Sequence, residues 1–201
     1  AMTKIHFIVP YPELEEKVNR IFNNHPQSGH LQKAVSVITS ERFSDLSSNA
    51  LDCDVVIARG YAAEQLKQAG IQAPVVELPI TGYDVIHCLY NCVQRFHPKK
   101  IALVGPFGRS CGHMDLSSIF GCEIRVFTPK NFEGIDEALE SAIEHGCDMV
   151  LGIYSVHLRA IQYRIPSVVV ELSDNAILDA IDTALRTVKL VAHEREKSEL
   201  H

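Results

Sequence analysis

Short apolar runs recur along the whole chain, at 5–9, 34–38, 55–58, 75–80, 101–104, 124–127, 149–153 and 168–172. They are rich in Val and Ile and apolar at nearly every position, which is how strands read when both faces of their sheet are covered. Between them the apolar residues return at helical spacing. Leu14, Val18, Ile21 and Phe22 make one stripe, and Val85, Ile86, Leu89, Cys92, Val93 and Phe96 make another. A third runs through Ile135, Ala138, Leu139, Ala142 and Ile143, and a last from about Asn175 through Ile177, Ile181, Ala184, Leu185 and Val188. Repeated βα units predict parallel sheets covered by helices.

The units also repeat as a set. Lys4-Ile5 and Pro10 return as Lys100-Ile101 and Pro106, 96 residues on; Cys53-Asp54 returns as Cys147-Asp148, and Val75-Val76-Glu77-Leu78 as Val169-Val170-Glu171-Leu172, both 94 residues on. Three landmarks in register predict two similar halves of four βα units. A closed (β/α)₈ barrel would carry the same symmetry near the lower limit of its size. Two open sheets are the preferred reading, because such sheets bind ligands beyond the carboxyl ends of their strands.

Charge and composition narrow the function. With 19 basic against 25 acidic residues the net charge is −6, which argues against a nucleic-acid-binding domain and its usual basic stripe. No apolar run approaches the roughly 20 residues that span a bilayer, and no basic segment followed by an apolar stretch opens the chain as a secretory signal would. Ala1-Met2 reads as an addition ahead of the natural start. The six cysteines, none in a CxxC pair, fit a chain large enough to fold without staples, and the expected compartment is the cytoplasm. Cys111, His113 and Asp115 supply half of a metal site with no second half at ligand spacing, so neither metal nor cofactor is expected.

The predicted strand ends carry the candidate chemistry. Arg59 and Gly60 follow the third strand, where a guanidinium suits a carboxylate or phosphate, or else pairs with a neighbour such as Glu77. Thr81 is a natural N-cap, and the amides of Gly82, Tyr83 and Asp84 behind it form a small anion site or an ordinary cap. Gly105 and Pro106 open a loop in which Gly108, Arg109 and Ser110 add backbone freedom and donors, without the Lys-Ser/Thr ending of a P-loop. Tyr154-Ser155-Val156-His157, after the seventh strand, is the second-half counterpart of the Arg59 loop; Ser155 offers a hydrogen-bond donor there, while His157 is expected on a helix surface. Enzyme signatures are poor: GxSxG, HExxH and DxDxDG are all missing, and Glu77 with Glu171 reads as two strand-end carboxylates rather than an acid/base pair. The rival enzyme reading is a small two-lobed racemase or isomerase acting on a small carboxylate, with Cys111 near its cleft. A pure interaction module is a third.

Several stretches resemble the N-terminal sensor domain of the propionate-catabolism activators, bacterial regulators that work with the sigma-54 form of RNA polymerase. They are Ile8-Val9-Pro10-Tyr11 leading into Leu14, Asp54-Val55-Val56-Ile57-Ala58-Arg59-Gly60, Val76-Glu77-Leu78-Pro79-Ile80-Thr81-Gly82-Tyr83-Asp84, Lys100-Ile101-Ala102-Leu103-Val104-Gly105 and Val169-Val170-Glu171. The resemblance implies an α/β fold of two Rossmann-like lobes, like that of periplasmic binding proteins, with a ligand cleft between them. It places 3–80 with 175–201 in one lobe and 81–174 in the other. It further implies a small anionic metabolite such as 2-methylcitrate as effector, no catalysis, and AAA+ ATPase and helix-turn-helix domains downstream of a C-terminal signalling helix. Direct nucleic-acid and membrane contact by this part are not expected, and a homodimer is left open. Tyr61-Ala62 replaces the small or hydroxyl residues usual after Gly60, and the 106–113 loop is idiosyncratic, so the resemblance leaves the effector's identity open.

Overall fold

The computed structural model describes residues 2–39, 42, 51–107, 111 and 115–201. Strands β1 (Thr3–Val9), β2 (Leu31–Val37), β3 (Val55–Arg59) and β4 (Val75–Leu78) form one parallel sheet in the order β2-β1-β3-β4. Strands β5 (Lys100–Val104), β6 (Glu123–Phe127), β7 (Met149–Gly152) and β8 (Ser167–Val169) form a second in the order β6-β5-β7-β8. The helices are α1 (Pro12–Asn23), α2 (Gly60–Gln68), α3 (Gly82–Phe96), α4 (Leu116–Phe120), α5 (Gly134–Glu144), α6 (Tyr154–Gln162) and α7 (Asp174–Glu199). Both sheets are open and have the same strand order, so the repeat produces two doubly wound layers and not a barrel. The chain divides into a first unit, the residues up to Pro79 with Ser173–His201, and a second, Ile80–Leu172.

In the first unit the strand alternation sends Ile5, Phe7, Val55 and Ile57 to one face and Ile8, Val56 and Ala58 to the other. The second set packs on Ala63 and Leu66 of α2. On the first face Phe7 meets Phe22 of α1 edge-on, ring centres 6.1 Å apart. Pro12 opens α1 at a position where its missing N–H is no loss. Helix α7 packs against α1, β3 and β4 through Ala176, Ile177, Ala180, Ile181 and Ala184. Polar ties hold it there. Arg20 donates to both oxygens of Asp174 (3.2 and 3.0 Å), which holds that carboxyl below the ordinary aspartate range. Buried His25 donates from Nε2 to Asp182 at 2.8 Å while its Nδ1 accepts the Gln27 N–H at 3.1 Å. From Lys189 onward α7 is exposed on nearly every side.

The second unit buries Ala102, Val104 and Val150 against Ile135, Leu139 and Ala142 of α5 and Val156 and Ala160 of α6. Ile101, Leu103 and Leu151 point to the opposite face and are fully buried, as are Val85 and Leu89 of α3. Arg159 of α6 grips Asp136 of α5 with two hydrogen bonds, and this lowers the Asp136 pKa.

The Cys-Asp landmark of the repeat has a mechanical explanation. The Asp54 N–H donates to the Lys4 carbonyl (2.9 Å) while its Oδ2 accepts the Lys4 N–H (2.8 Å). In the second unit the Asp148 N–H donates to the Lys100 carbonyl (3.0 Å), and its two carboxylate oxygens accept the Lys99 and Lys100 N–H groups, both at 3.0 Å. Each aspartate thus clamps the start of the central strand pair, β1–β3 or β5–β7. Burial opposes ionisation of Asp148, but the two amides outweigh it and its carboxyl titrates below the ordinary value.

Two outcomes follow from these contacts. Asp148→Ala should lower the unfolding free energy by about 1–2 kcal/mol, the low end for charge-assisted bonds because water reaches the site; urea melts at pH 7 measure it, and an unchanged midpoint would remove the clamp. His6 bonds to Ser36 Oγ at 2.7 Å, and burial, reinforced by Lys4, lowers its pKa. Its proton is therefore bound more readily in the unfolded chain, so stability holds above about pH 6.5 and declines as pH falls below it. The decline can reach at most about 1.4 kcal/mol per pH unit for one proton. His6→Gln should flatten that slope in melts between pH 7 and 5.

Candidate functional site

In an open parallel sheet the helices on either side of a central strand pair leave in opposite directions, and a crevice opens at the carboxyl ends between them. In the first unit that point lies between β1 and β3, in the second between β5 and β7. Four chain segments therefore line the two rims: Pro10-Tyr11, Arg59-Gly60, Gly105-Pro106 and Ile153-Tyr154-Ser155.

Arg59 is the last residue of β3 and the N-cap of α2, in extended backbone at φ −73° and ψ 159°. Its half-buried guanidinium donates from Nη1 to the Leu78 carbonyl at 2.5 Å, which fixes the side chain across the end of β4. Gly60 begins α2, and Tyr61 behind it is buried. Burial, aided by Glu64, pushes the Tyr61 phenol up to about 12, so this residue serves as core rather than as a titrating group.

Thr81 is the N-cap of α3 and takes part in a full capping box. Its Oγ1 accepts the Asp84 N–H at 3.2 Å, and the Asp84 carboxylate accepts the Thr81 N–H at 3.1 Å. The third amide of the expected anion site is thus engaged by Thr81, and a buried carboxylate stands beside it. Gly82 and Tyr83 occupy the first two helical positions, Tyr83 with its ring exposed and stacked on His87.

Gly105 adopts φ +151°, and a Cβ there would lie 2.8 Å from the Phe107 ring and 3.4 Å from Ile153. The close approach that requires glycine at this position is made by a fully buried core ring. Pro106 is exposed beside it, and Ser155 is half-buried in the first turn of α6. Because Val104 pairs with Gly152, Gly105 and Ile153 are neighbours on one rim, one residue before Tyr154-Ser155. Ser110, with Arg109 and His113, lies outside the described residues. His157 departs from the surface position expected for it: it is half-buried, with Nδ1 2.6 Å from Ser167 Oγ, and ties α6 to β8. A polar partner ten residues away on an edge strand leaves no mark in local periodicity.

Nucleophilic chemistry has little support at this rim. Cys111 is buried, and burial pushes its thiol above the ordinary value, away from the thiolate that nucleophilic attack needs. Glu77 and Glu171 are exposed and belong to different units. Among the described residues no group of three His, Cys, Asp or Glu side chains could hold a metal ion, and no helix is long and apolar enough to cross a membrane.

Comparison with known proteins places the chain. No curated protein sequence matches it directly. Among solved structures it is similar to an NtrC family transcriptional regulator from Clostridium acetobutylicum, with a TM-score of 0.81 at 16% identity over 94% of this chain and 98% of that one. A putative transcription regulator from Staphylococcus saprophyticus gives 0.53 at 14% identity over 94% and 92%. An aspartate racemase homologue from Pyrococcus horikoshii reaches only 0.36 at 12% identity over 91% and 99%, too low to support the enzyme reading. The family model described as propionate catabolism activator, which covers the N-terminal domain of those regulators, matches residues 25–194. By that match, which spans most of its length, the chain belongs to the propionate catabolism activator family.

Proposed function

We propose that the chain is the effector-sensing domain of a sigma-54-dependent activator. A small organic acid of the 2-methylcitrate kind binds in a cleft between the two units, and the bound state is passed through α7 to AAA+ ATPase and DNA-binding domains in the full-length cytoplasmic protein. Family membership supports the sensor role. The observation that carries the ligand class is the position of Arg59, whose backbone ends β3 beside the β1–β3 crevice and whose guanidinium lies at the same carboxyl rim, over the end of β4. Carboxylates are the natural partners of such a fork. Gly60, Gly82 and Tyr83 as main-chain donors, Thr81, Ser110 and Ser155 as hydroxyl donors, and Gly105 and Pro106 as rim residues beside them complete the proposed set. The acid acts by binding one arrangement of the units more tightly than another, since a ligand shifts an equilibrium only through such a difference. The first turn of α7, fixed to α1 by Arg20 and Asp174, gives that shift a stiff output lever.

Isothermal titration with 2-methylcitrate and citrate tests the reading. Binding should be saturable, and Arg59→Ala should weaken it by about 1.5–3 kcal/mol, roughly 10- to 150-fold, the scale of a hydrogen bond to a charged group. In a thermal melt, acid at 100 times its dissociation constant should add about 2.7 kcal/mol of stability to the parent. A folded Arg59→Ala protein that binds as tightly as the parent would remove the assigned anchor, and failure of both acids to bind would remove the ligand class.

A further inference from the structure

The two edges of the second sheet are finished differently. On β6 the outward-facing main chain is that of Ile124 and Val126, because Glu123 and Phe127 bond inward: the Glu123 N–H donates to Lys99 and the Phe127 carbonyl accepts from Gly105. Ser117 of α4 closes the first part of this edge, its Oγ accepting the Ile124 N–H at 2.9 Å and donating to the Ile124 carbonyl at 3.3 Å. Open edges invite pairing with another chain, and a side chain supplying both bonds is one way to prevent it.

Strand β8 lacks that protection. Pro166 and Val170 bond inward to β7, to Val150 and Gly152, so Ser167 and Val169 turn their main-chain groups outward. The contact to them among the described residues is a long one, from Cys88 Sγ to the Val169 carbonyl at 3.8 Å. Burial pushes the Cys88 thiol up to about 12, which keeps it a neutral, weak donor. Alongside this edge runs α3, with a groove of about 240 Å³ between them lined by Cys88, Cys92, Phe96, Val168 and Val169. Its floor is apolar and its ends are charged: Asp84 and Glu171 also line it, as does Arg95, whose guanidinium lies 5.0 Å from the centre of the Phe96 ring. Neither Glu171 nor Arg95 has an ion-pair partner among the described residues.

We infer that the α3–β8 groove is a docking site for an extended peptide segment of a protein partner, which adds to the β8 edge and carries a basic residue at one end and an acidic one at the other. A groove between an edge strand and a helix supports strand addition, in which main-chain bonds give affinity and side-chain pockets give specificity. Ser167 and Val169 supply the main-chain bonds, and the Cys88, Cys92 and Phe96 floor takes an aliphatic side chain. The eleven steps from Asp84 to Arg95 cover about 16 Å of helix; five residues of extended chain cover about 13 Å between their end Cα atoms, at about 3.3 Å per step, and the long side chains of a terminal lysine and glutamate close the difference. A five-residue segment with opposite charges at its ends therefore meets the carboxylates and the guanidinium together. The effector reading plays no part in this inference.

Fluorescence anisotropy with three end-blocked, labelled peptides tests it on the full chain: Lys-Val-Ile-Val-Glu, Lys-Val-Ile-Val-Lys and Glu-Val-Ile-Val-Glu. The mixed-charge peptide should bind saturably and at least fivefold more tightly than either other. The net charge of −6 would by itself favour the doubly basic peptide, so this ranking reports the groove. Arg95→Glu should invert it, making Lys-Val-Ile-Val-Lys the tightest. Val169→Pro, which removes an outward N–H and leaves the ladder to β7 intact, should abolish binding; because proline can also disturb folding, the Arg95→Glu inversion stands as the independent arm. No saturable binding, no preference for the mixed peptide, or an unchanged ranking in Arg95→Glu overturns the inference. A concentration-dependent dimer in light scattering that Val169→Pro dissolves assigns the edge to a second copy and overturns it equally.

Discussion

The parallel pairing of the central strands, β1 with β3 and β5 with β7, is the constraint from which the rest follows. A parallel pair needs a crossover between its members, and the crossovers of these sheets bring the helix N-termini among the described residues to the carboxyl rim. In the first unit the connections after the two central strands lead to opposite faces: α1 packs on one, with Phe22 against Phe7, and α2 on the other, with Ala63 and Leu66 against Ile8, Val56 and Ala58. Residues at the carboxyl end of a central strand border the crevice so formed: Pro10-Tyr11 and Arg59 in the first unit, Gly105 and the Ile153–Ser155 turn in the second. The same pairing places Asp54 and Asp148 at the opposite, amino end of the central pairs, where a carboxylate fixes the starting register.

Much of this framework was legible in the residues because burial on both faces removes polar positions from a strand. All eight runs became strands, and the stripes at Leu14–Phe22, Val85–Phe96 and Ile135–Ile143 became α1, α3 and α5. The errors lie where burial and strand pairing separate. The run 75–80 outlasts β4, which stops at Leu78, and 168–172 outlasts β8, which stops at Val169: Ile80 and Leu172 are buried beyond the ends of the ladders. At β2 the reverse holds. This edge strand begins at Leu31, and its polar Gln32 and Lys33 hid the first half of the pairing with β1. Helix α4, five residues long, has too little period to announce itself.

The site was legible in part, and for the same reason. Capping follows local rules, so Thr81 could be read as an N-cap; that Asp84 completes the box needed only its spacing of three. Arg59 could be placed at a strand end, but its partner is a backbone carbonyl, and the Leu78 main chain has no signature that distinguishes it from any other. Gly105 looked like room for a ligand because glycine records only that something comes close. Which group comes close, here Phe107, is a fact of tertiary packing.

Comparing the halves separates what the backbone requires from what the chemistry requires. The N-cap of α2 and that of α6 have nearly the same conformation, φ −73° and ψ 159° against φ −68° and ψ 166°, yet one is Arg59 and the other Ile153. At the next junction the pattern reverses. The N-caps of α3 and α7 again match in conformation, and both are hydroxyls, Thr81 and Ser173, that accept the amide three residues on. A cap answers a need that both copies share, the unsatisfied amides of a helix start, and so does the aspartate clamp; these are alike in both halves. The turn itself does not require a guanidinium at the strand end, since Ile153 makes the same turn without one. In the first unit Arg59 donates to the Leu78 carbonyl at the end of β4, so the two halves share a backbone conformation and differ in how the strand end is tied.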